Sequence, residues 1–337
     1  MFPMFQKKIG IDLGTANSLV YVEGKEIIIN EPTVVAISID DRKVLAVGNK
    51  AKEMLGKVPE NIIARRPLQD GVIASFKLTQ ALLKYFIETA LGSARLFRPE
   101  VMISVPAGVT TVEERAVIEA AVSAGAGKVY LIPEPIAAAI GAKLPISSSA
   151  GNMIVNMGGG TSEIAIISLN GIVAFNSERV GGDAINSAIV SYVRKHHGLL
   201  IGEQMSEQIK IKIGSAIHMD NPLSMQIKGR DVASGLPSST TMESNEVADA
   251  IRPALNQIIT AIKKVLEQTP PELASDVIDR GMVLSGGTSL IRDLDELFTK
   301  ATGVSAYTVD EPLFCVIRGI AEAISHIDVV RRSLKGR

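Results

Sequence analysis

Asn156-Met-Gly-Gly-Gly-Thr-Ser-Glu163 stands between two apolar runs, Met153-Ile-Val155 and Ile164-Ala-Ile-Ile-Ser-Leu169. The pattern predicts strand, glycine turn, strand. Consecutive glycines allow backbone conformations that a Cβ forbids and let main-chain N–H groups approach a ligand closely. Such N–H groups can form a cup for an anion. Alone, the stretch is equally compatible with a tight hairpin that binds nothing. A second copy changes the reading. Ile9-Gly-Ile-Asp-Leu-Gly-Thr-Ala-Asn-Ser18 has the same order: apolar strand, polar residue, glycine turn with Thr, then the apolar run Leu19-Val-Tyr-Val22. Aligned, the copies set Asp12 opposite Asn156, an acid against an amide. An internal repeat reveals architecture, and this one predicts two similar lobes clamping one polyphosphate.

Composition agrees with a large folded chain. Of 337 residues, 46% are hydrophobic and 21% charged, and the net charge is −1. The length suggests two domains, and the charge balance gives no support to nucleic-acid or polybasic membrane binding. Cys315, the single cysteine, lies in the apolar run Leu313-Phe-Cys-Val-Ile317 and reads as a small buried hydrophobe. No Cys/His cluster has metal-ligand spacing, and His196-His197 reads as a helix end. The start, Met1-Phe-Pro-Met-Phe5, is too short and interrupted for a signal peptide. No apolar run is long enough to span a bilayer, so the expected location is cytoplasmic.

In chain order, residues 9–39 read as successive strands, 44–48 as another, 51–56 as a short helix and 57–75 as loop with little regular structure. A helix is expected over Thr79–Leu91, a buried strand over 101–105, a helix from Thr110 or Thr111 to about Ala124 with Glu113 and Glu114 in its first turn, a strand at 128–132 and an alanine-rich helix at Glu134–Ala142. Ser147-Ser-Ser-Ala-Gly151 reads as the linker between lobes. Beyond it come a hairpin at 153–176, helices near 184–196 and 203–216, an extended excursion at 217–245, a helix over Ala248–Glu267, a strand at Met282-Val-Leu284 and a third glycine turn, Ser285-Gly-Gly-Thr-Ser289. Helices at 293–302 and 316–327 close the chain. Alternating strands and helices predict an α/β fold with partly parallel sheets.

Four stretches in this order carry a resemblance: Ile11-Asp-Leu-Gly-Thr-Ala-Asn17, Pro133-Glu-Pro-Ile-Ala-Ala-Ala-Ile140, Gly158-Gly-Gly-Thr161 and Leu284-Ser-Gly-Gly-Thr288. They resemble the phosphate-1, connecting-helix, phosphate-2 and adenosine motifs of the actin/Hsp70/sugar-kinase superfamily. The similarity is closer to the MreB family of bacterial actins, with support from Arg66-Pro-Leu-Gln-Asp-Gly71, Ile209-Lys-Ile-Lys-Ile-Gly214 and Pro270-Pro-Glu-Leu273, and it covers about residues 8–330. It implies a two-lobed actin-like, duplicated ribonuclease-H-like fold with a nucleotide cleft between lobes. Lobe I would comprise 1–149 and 314–337, with a small subdomain at about 33–76. Lobe II would comprise 150–313, with a subdomain at about 184–246.

The resemblance also implies ATP with Mg²⁺ and antiparallel double filaments of the chain itself on the inner membrane surface, together with cell-wall elongation proteins and a role in cell shape. By motif, Asp12 would order the Mg²⁺ hydration shell through water. Gly14, Thr15, Ala16 and Asn17 would hold β- and γ-phosphates, and Gly158, Gly159 and Gly160 would offer N–H groups. Glu134 would position the attacking water with help from Thr161; read without the family, it is a helix-N-terminal acid favoured by the dipole. Glu207 and Lys210 would lie near the adenosine, backed by Gly286, Gly287, Thr288 and Ser289. Asn156 departs from the family's Asp, which predicts retained binding with slowed hydrolysis. Pro133, Lys212 and Thr288 depart as well. Leu96 and Phe97, in a short loop flanked by Arg95 and Arg98, suit insertion into an anionic membrane surface or burial in the core. Three alternatives stand beside the filament. An Hsp70-type chaperone needs a following substrate domain, for which the tail after the last helix leaves no room. A small-molecule kinase needs an acceptor loop with a catalytic acid. A hydrolysis-poor paralogue would partner an active filament protein.

Overall fold

A computed structural model describes residues 7–92 and 98–327. The chain opens with β1 (Lys8–Leu13), β2 (Asn17–Val22) and β3 (Ile27–Pro32), followed by β4 (Val35–Ser38), β5 (Val44–Val47), α1 (Asn49–Met54) and β6 (Ile62–Arg65). The short pair β7 (Leu68–Gln69) and β8 (Val72–Ile73) leads to α2 (Phe76–Leu91), β9 (Glu100–Val105), α3 (Thr111–Ser123), β10 (Lys128–Pro133) and α4 (Glu134–Gly141). The second half begins with β11 (Asn152–Met157), β12 (Ser162–Ser168), β13 (Gly171–Glu178) and α5 (Gly182–His197). Then come β14 (Leu199–Leu200), α6 (Glu203–Ile213), β15 (Ser224–Asp231), β16 (Pro237–Glu243), α7 (Ser244–Glu267) and α8 (Pro271–Arg280). The last elements are β17 (Met282–Ser285), α9 (Leu294–Thr302), β18 (Ala306–Thr308) and α10 (Cys315–Ser325).

The repeat read in the glycine turns extends to whole sheets. One five-stranded sheet has the order β10-β9-β1-β2-β3 and the other β13-β12-β11-β17-β18. In each, three strands run as an antiparallel meander and two join parallel: β1 with β9 and β10, β11 with β17 and β18. The fold is therefore α/β with two similarly built lobes. The joining helices cross between them. α10 packs on β1, while α4 packs on β11 and β12, and the two helices lie against each other. Their contact is backbone-close. A Cβ on Gly141 would fall 1.8 Å from Cys315 O, and one on Gly319 would fall 1.8 Å from Ala137 O. Only glycine permits that approach.

The periodicities explain the helices. α7 buries Ile251, Leu255, Ile258 and Ile262 at helical spacing. Thr110 and Glu113 close a capping box at the start of α3. Gly198, in the left-handed region, ends α5 just beyond His196-His197. Cys315 is buried.

Two expectations are corrected and two elements are added. Residues 57–75 contain β6, which completes a three-stranded sheet β5-β4-β6. α8 and β18 were not anticipated. α6 ends at Ile213, where Gly214 takes extended backbone. The serine-rich stretch lies between α4 and β11 and is tied down: Leu169 N donates to Ser148 O (2.9 Å), Ser168 Oγ to Ser149 O (2.9 Å) and Gly151 N to Asp276 Oδ2 (2.7 Å).

Candidate functional site

The two glycine turns face each other at the bottom of a cavity of about 450 Å³, within the size range of ligand sites. The first turn follows β1 and the second follows β11, so the repeated meander itself brings the cups together. Contact between them is direct. A Cβ on Gly159 would lie 2.4 Å from Ala16 Cβ, and one on Gly160 would lie 2.5 Å from Thr15 Oγ1. These glycines are thus required first by the approach of one cup to the other. Gly158 differs from the expectation for this turn, because its N–H closes the hairpin onto Thr161 O (2.8 Å). The N–H groups of Thr15, Ala16, Gly159 and Gly160 have no hydrogen-bond partner among the described residues.

Asp12, Gly14, Thr15, Ala16, Asn17, Glu134, Asn156 and the second glycine turn with Thr161 all line this cavity. Glu207 and Lys210 from α6, and Gly286, Gly287 and Thr288 after β17, line it as well. Ser289 does not; its hydroxyl bonds back to Gly286 O (2.7 Å), and Leu290 and Ile291 take up the wall instead. The third turn is fitted to the second: Thr288 Oγ1 donates to Gly158 O (2.8 Å), and Gly286 has φ +82° with no room for a Cβ against Met157 O. Leu96 and Phe97 lie outside the described residues.

The repeat carries its polar partners with it. Ser104 Oγ, on β9, donates to Asp12 Oδ1 (2.9 Å), and Ser285 Oγ, on β17, donates to Asn156 Oδ1 (3.0 Å). With Oδ1 so engaged, the Asn156 amide turns Nδ2 toward Glu134 Oε2 (3.4 Å). Glu134 is pushed well above the usual carboxylate range by burial, and then by the neighbouring Glu163 and Asp12. Burial pushes Asp12 up to about 6, against the Ser104 hydrogen bond. Asp12 and Glu134 therefore hold their protons more tightly than exposed carboxyls do, a perturbation that is common at functional sites.

Three site residues escaped the sequence reading. Glu163, on β12, is fully buried beside this group and raised by burial, while Ser177 Oγ (2.5 Å) and Ala107 N (3.0 Å) donate to it. Its position on an all-buried strand, where an apolar residue is the rule, was the available signal. Arg66 donates from Nη1 to Thr15 O and Ala16 O (both 3.2 Å) and pairs through Nη2 with Glu203 (2.5 Å). Asn186, one turn into α5, lines the cavity. Across the mouth, Lys52 pairs with Glu207 (2.8 Å), so Glu207 is engaged at the rim, and Lys210 Nζ donates to Gly182 O (3.1 Å). Burial holds the Lys210 ammonium below its usual range, against Asp183 and Glu207.

The family model for the MreB/Mbl protein matches residues 6–332. The chain belongs to the MreB/Mbl family. It is 48% identical over 331 residues to the cell shape-determining protein MreB of Escherichia coli K12, covering 97% of this chain and 95% of that one. It is 44% identical over 325 residues to the cell shape-determining protein Mbl of Bacillus subtilis 168, covering 96% and 98%. The crystal structure of MreB 5 of Spiroplasma citri bound to AMPPNP superposes with a TM-score of 0.93 at 35% identity, over 98% of this chain and 99% of that one. The two sheets and crossing helices are thus those of an MreB/Mbl chain. No helix among the described residues is long and apolar enough to cross a membrane.

Proposed function

We propose that this MreB/Mbl chain binds ATP with Mg²⁺ between its lobes and assembles into actin-like filaments that organise cell shape. The observation that carries the reading is the meeting of two glycine cups at one cavity, with the unengaged N–H groups of Thr15, Ala16, Gly159 and Gly160 beside Asp12 and Glu134. Four donors at one point suit a polyphosphate. The donor set fits a hydrated cation better than a directly held one, since no group of three His, Cys, Asp or Glu side chains among the described residues could hold a metal. Asp12 is the carboxylate that would face Mg²⁺ through water. When bound, Mg²⁺ would neutralise phosphate charge. Glu134 holds the position from which a carboxylate orients a water and accepts its proton, and Thr161 flanks it.

Asn156 favours a slow version of this reaction. Its amide can hydrogen-bond Glu134 but brings no negative charge to a cation or a nucleophile. Phosphate holding rests on backbone N–H groups and survives the change. The MreB bound to AMPPNP and the relatives named for cell shape support the nucleotide and the cellular role. In this reading the lobes divide as 1–149 with 314–337 and 150–313, with small subdomains at 33–76 and 184–246. The filaments are antiparallel doubles, peripheral on the inner membrane surface and engaged with cell-wall elongation proteins. Leu96 and Phe97 are the membrane contacts, each too weak to anchor a monomer and effective only through many copies on one filament.

Electron microscopy of the purified chain with ATP and Mg²⁺, with and without anionic liposomes, tests the proposal. Filaments that need nucleotide, and that bind lipid less after Leu96→Ser with Phe97→Ser, are expected. A protein that binds no nucleotide and never polymerises would overturn it.

A further inference from the structure

The cavity wall holds one unexplained polar group. Asn186 Oδ1 is the single buried side-chain oxygen or nitrogen without a hydrogen-bond partner among the described residues. The residue is 5% exposed and sits on the inner face of α5, between Ile185 and Ile189, both fully buried. An apolar side chain would fill that place without leaving a polar atom unsatisfied. Asn186 also lines the large cavity. A buried carboxamide with no partner in the chain, at the edge of a ligand cavity, can turn one of its two polar ends to the ligand.

Position selects which part of the ligand. α5 begins against the second cup: Gly182 N donates to Gly158 O (3.0 Å) and Asp183 N to Gly159 O (2.8 Å). Asn186 follows Gly182 by four residues, so it lies on the same face one turn, about 5.4 Å, farther from the phosphate end. That is the reach from a phosphate to the sugar it esterifies. The wall also offers Ile211, Leu290, Ile291 and Leu313 as apolar surface for a flat base. A sugar hydroxyl both donates and accepts, so it satisfies a carboxamide whichever way the amide is turned.

Resting on the nucleotide reading above, we infer that Asn186 hydrogen-bonds a ribose hydroxyl of the bound nucleotide and makes the site selective for ribonucleotides. Titration calorimetry with ATP, 2′-deoxy-ATP and 3′-deoxy-ATP tests this on the whole chain. The unaltered protein should bind ATP about tenfold more tightly than the analogue lacking the contacted hydroxyl. Asn186→Leu should bind all three alike, at the affinity of the weaker analogue, and its unliganded melting temperature should equal or exceed that of the parent because the orphan is gone. Asn186→Ala should lose the same discrimination. Unchanged ribose selectivity in either variant, or a parent that binds ATP and both deoxy forms equally, overturns the inference while leaving nucleotide binding intact. A parent that binds none of the three overturns the nucleotide reading itself.

Discussion

Asn156 holds its amide between two oxygens, accepting from Ser285 and donating toward Glu134. Asp12, its counterpart in the first repeat, meets the equivalent serine but is a carboxyl that can ionise. The exchange of an oxygen for a nitrogen therefore alters chemistry without altering the hydrogen-bond frame. Asn156→Asp should raise phosphate release by about tenfold or more, with the 10²- to 10⁴-fold of a full general base effect as the upper bound, when single-turnover release is measured with Mg²⁺ and ATP. Equal rates would show that the Asn156 amide does not limit hydrolysis. The same variant adds one more carboxylate to the group that already holds Glu134, Glu163 and Asp12, where like charges resist joint ionisation. Its unliganded melting temperature should therefore fall below that of the parent as pH rises from 5 to 8, to an extent the parent does not show. Asp12 supplies a pH signature of its own. Its carboxyl lies at about 6 against an ordinary value of 3.8, so the folded chain holds a proton that the unfolded chain has lost. Stability of the unliganded protein should decline as pH rises from about 4 through about 6. If Asp12 faces Mg²⁺ as proposed, binding of Mg²⁺ with ATP would favour the ionised form, release that proton and tighten across the same window. Calorimetric affinities that stay flat between pH 5 and 7 would contradict it.

The crossing of α4 and α10 decides how far the lobes share one core. Ala137 and Ala138 meet Ile317 and Ile320 there, with Ile154 and Val283 of the second sheet and Leu19 and Met102 of the first. Gly319→Ala sets two effects against each other. Alanine gains about 1 kcal/mol of helix propensity over glycine, but its Cβ would stand 1.8 Å from Ala137 O, a backbone atom that cannot rotate away. Overpacking of this kind costs about 1–3 kcal/mol or more, so the clash wins and the melting temperature should drop; an unchanged or raised value in a thermal scan would show that the helices separate freely. The elements forming this core were legible in the sequence, because alanine-dense α4 and the apolar run at α10 carry their own local signal. β6 was not, because Ile62-Ile-Ala-Arg65 sits between Pro59 and Pro67 in a stretch rich in breakers. It becomes a strand by pairing with β4, a tertiary fact. α8 hid for another reason: its apolar stripe, Leu273, Ala274, Val277 and Ile278, is short, and only Val277 is fully buried. The glycine cups were legible because glycine runs are local, whereas Glu163, Arg66 and Asn186 acquire meaning only from the neighbours that folding brings.

At the scale of the whole molecule, the cleft is closed by polar contacts across its mouth. Arg66 reaches from the Ile62–Ile73 segment to the carbonyls of the first cup and to Glu203 on α6, and Lys52 of α1 reaches Glu207 on the same helix. Gln204 Nε2 adds a bond to Lys52 O (3.1 Å). Both ion pairs keep solvent contact, with side-chain exposures of 18% and 49% for Arg66 and Glu203 and 30% and 31% for Lys52 and Glu207. Pairs of that kind contribute about 0–1 kcal/mol each, so they bias closure and leave it reversible. A ligand held by both cups would shift the same balance by its preference for the closed form. Arg66→Gln removes the Glu203 pair, about 0–1 kcal/mol, and the bonds to Thr15 O and Ala16 O, about 1 kcal/mol each, although Ala16 O keeps its bond from Thr33 N (2.9 Å). It should therefore lower the melting temperature modestly and speed nucleotide release several-fold. Salt provides an independent arm, because the screening length falls to about 3 Å at 1 M ionic strength. High salt should speed release from the parent and do so less in the Arg66→Gln, Lys52→Met double variant, where the charges are already gone. Stopped-flow displacement of a fluorescent ATP analogue measures both. Release rates indifferent to the substitutions and to salt would mean that the cups alone hold the nucleotide and that the contacts across the mouth do not gate it.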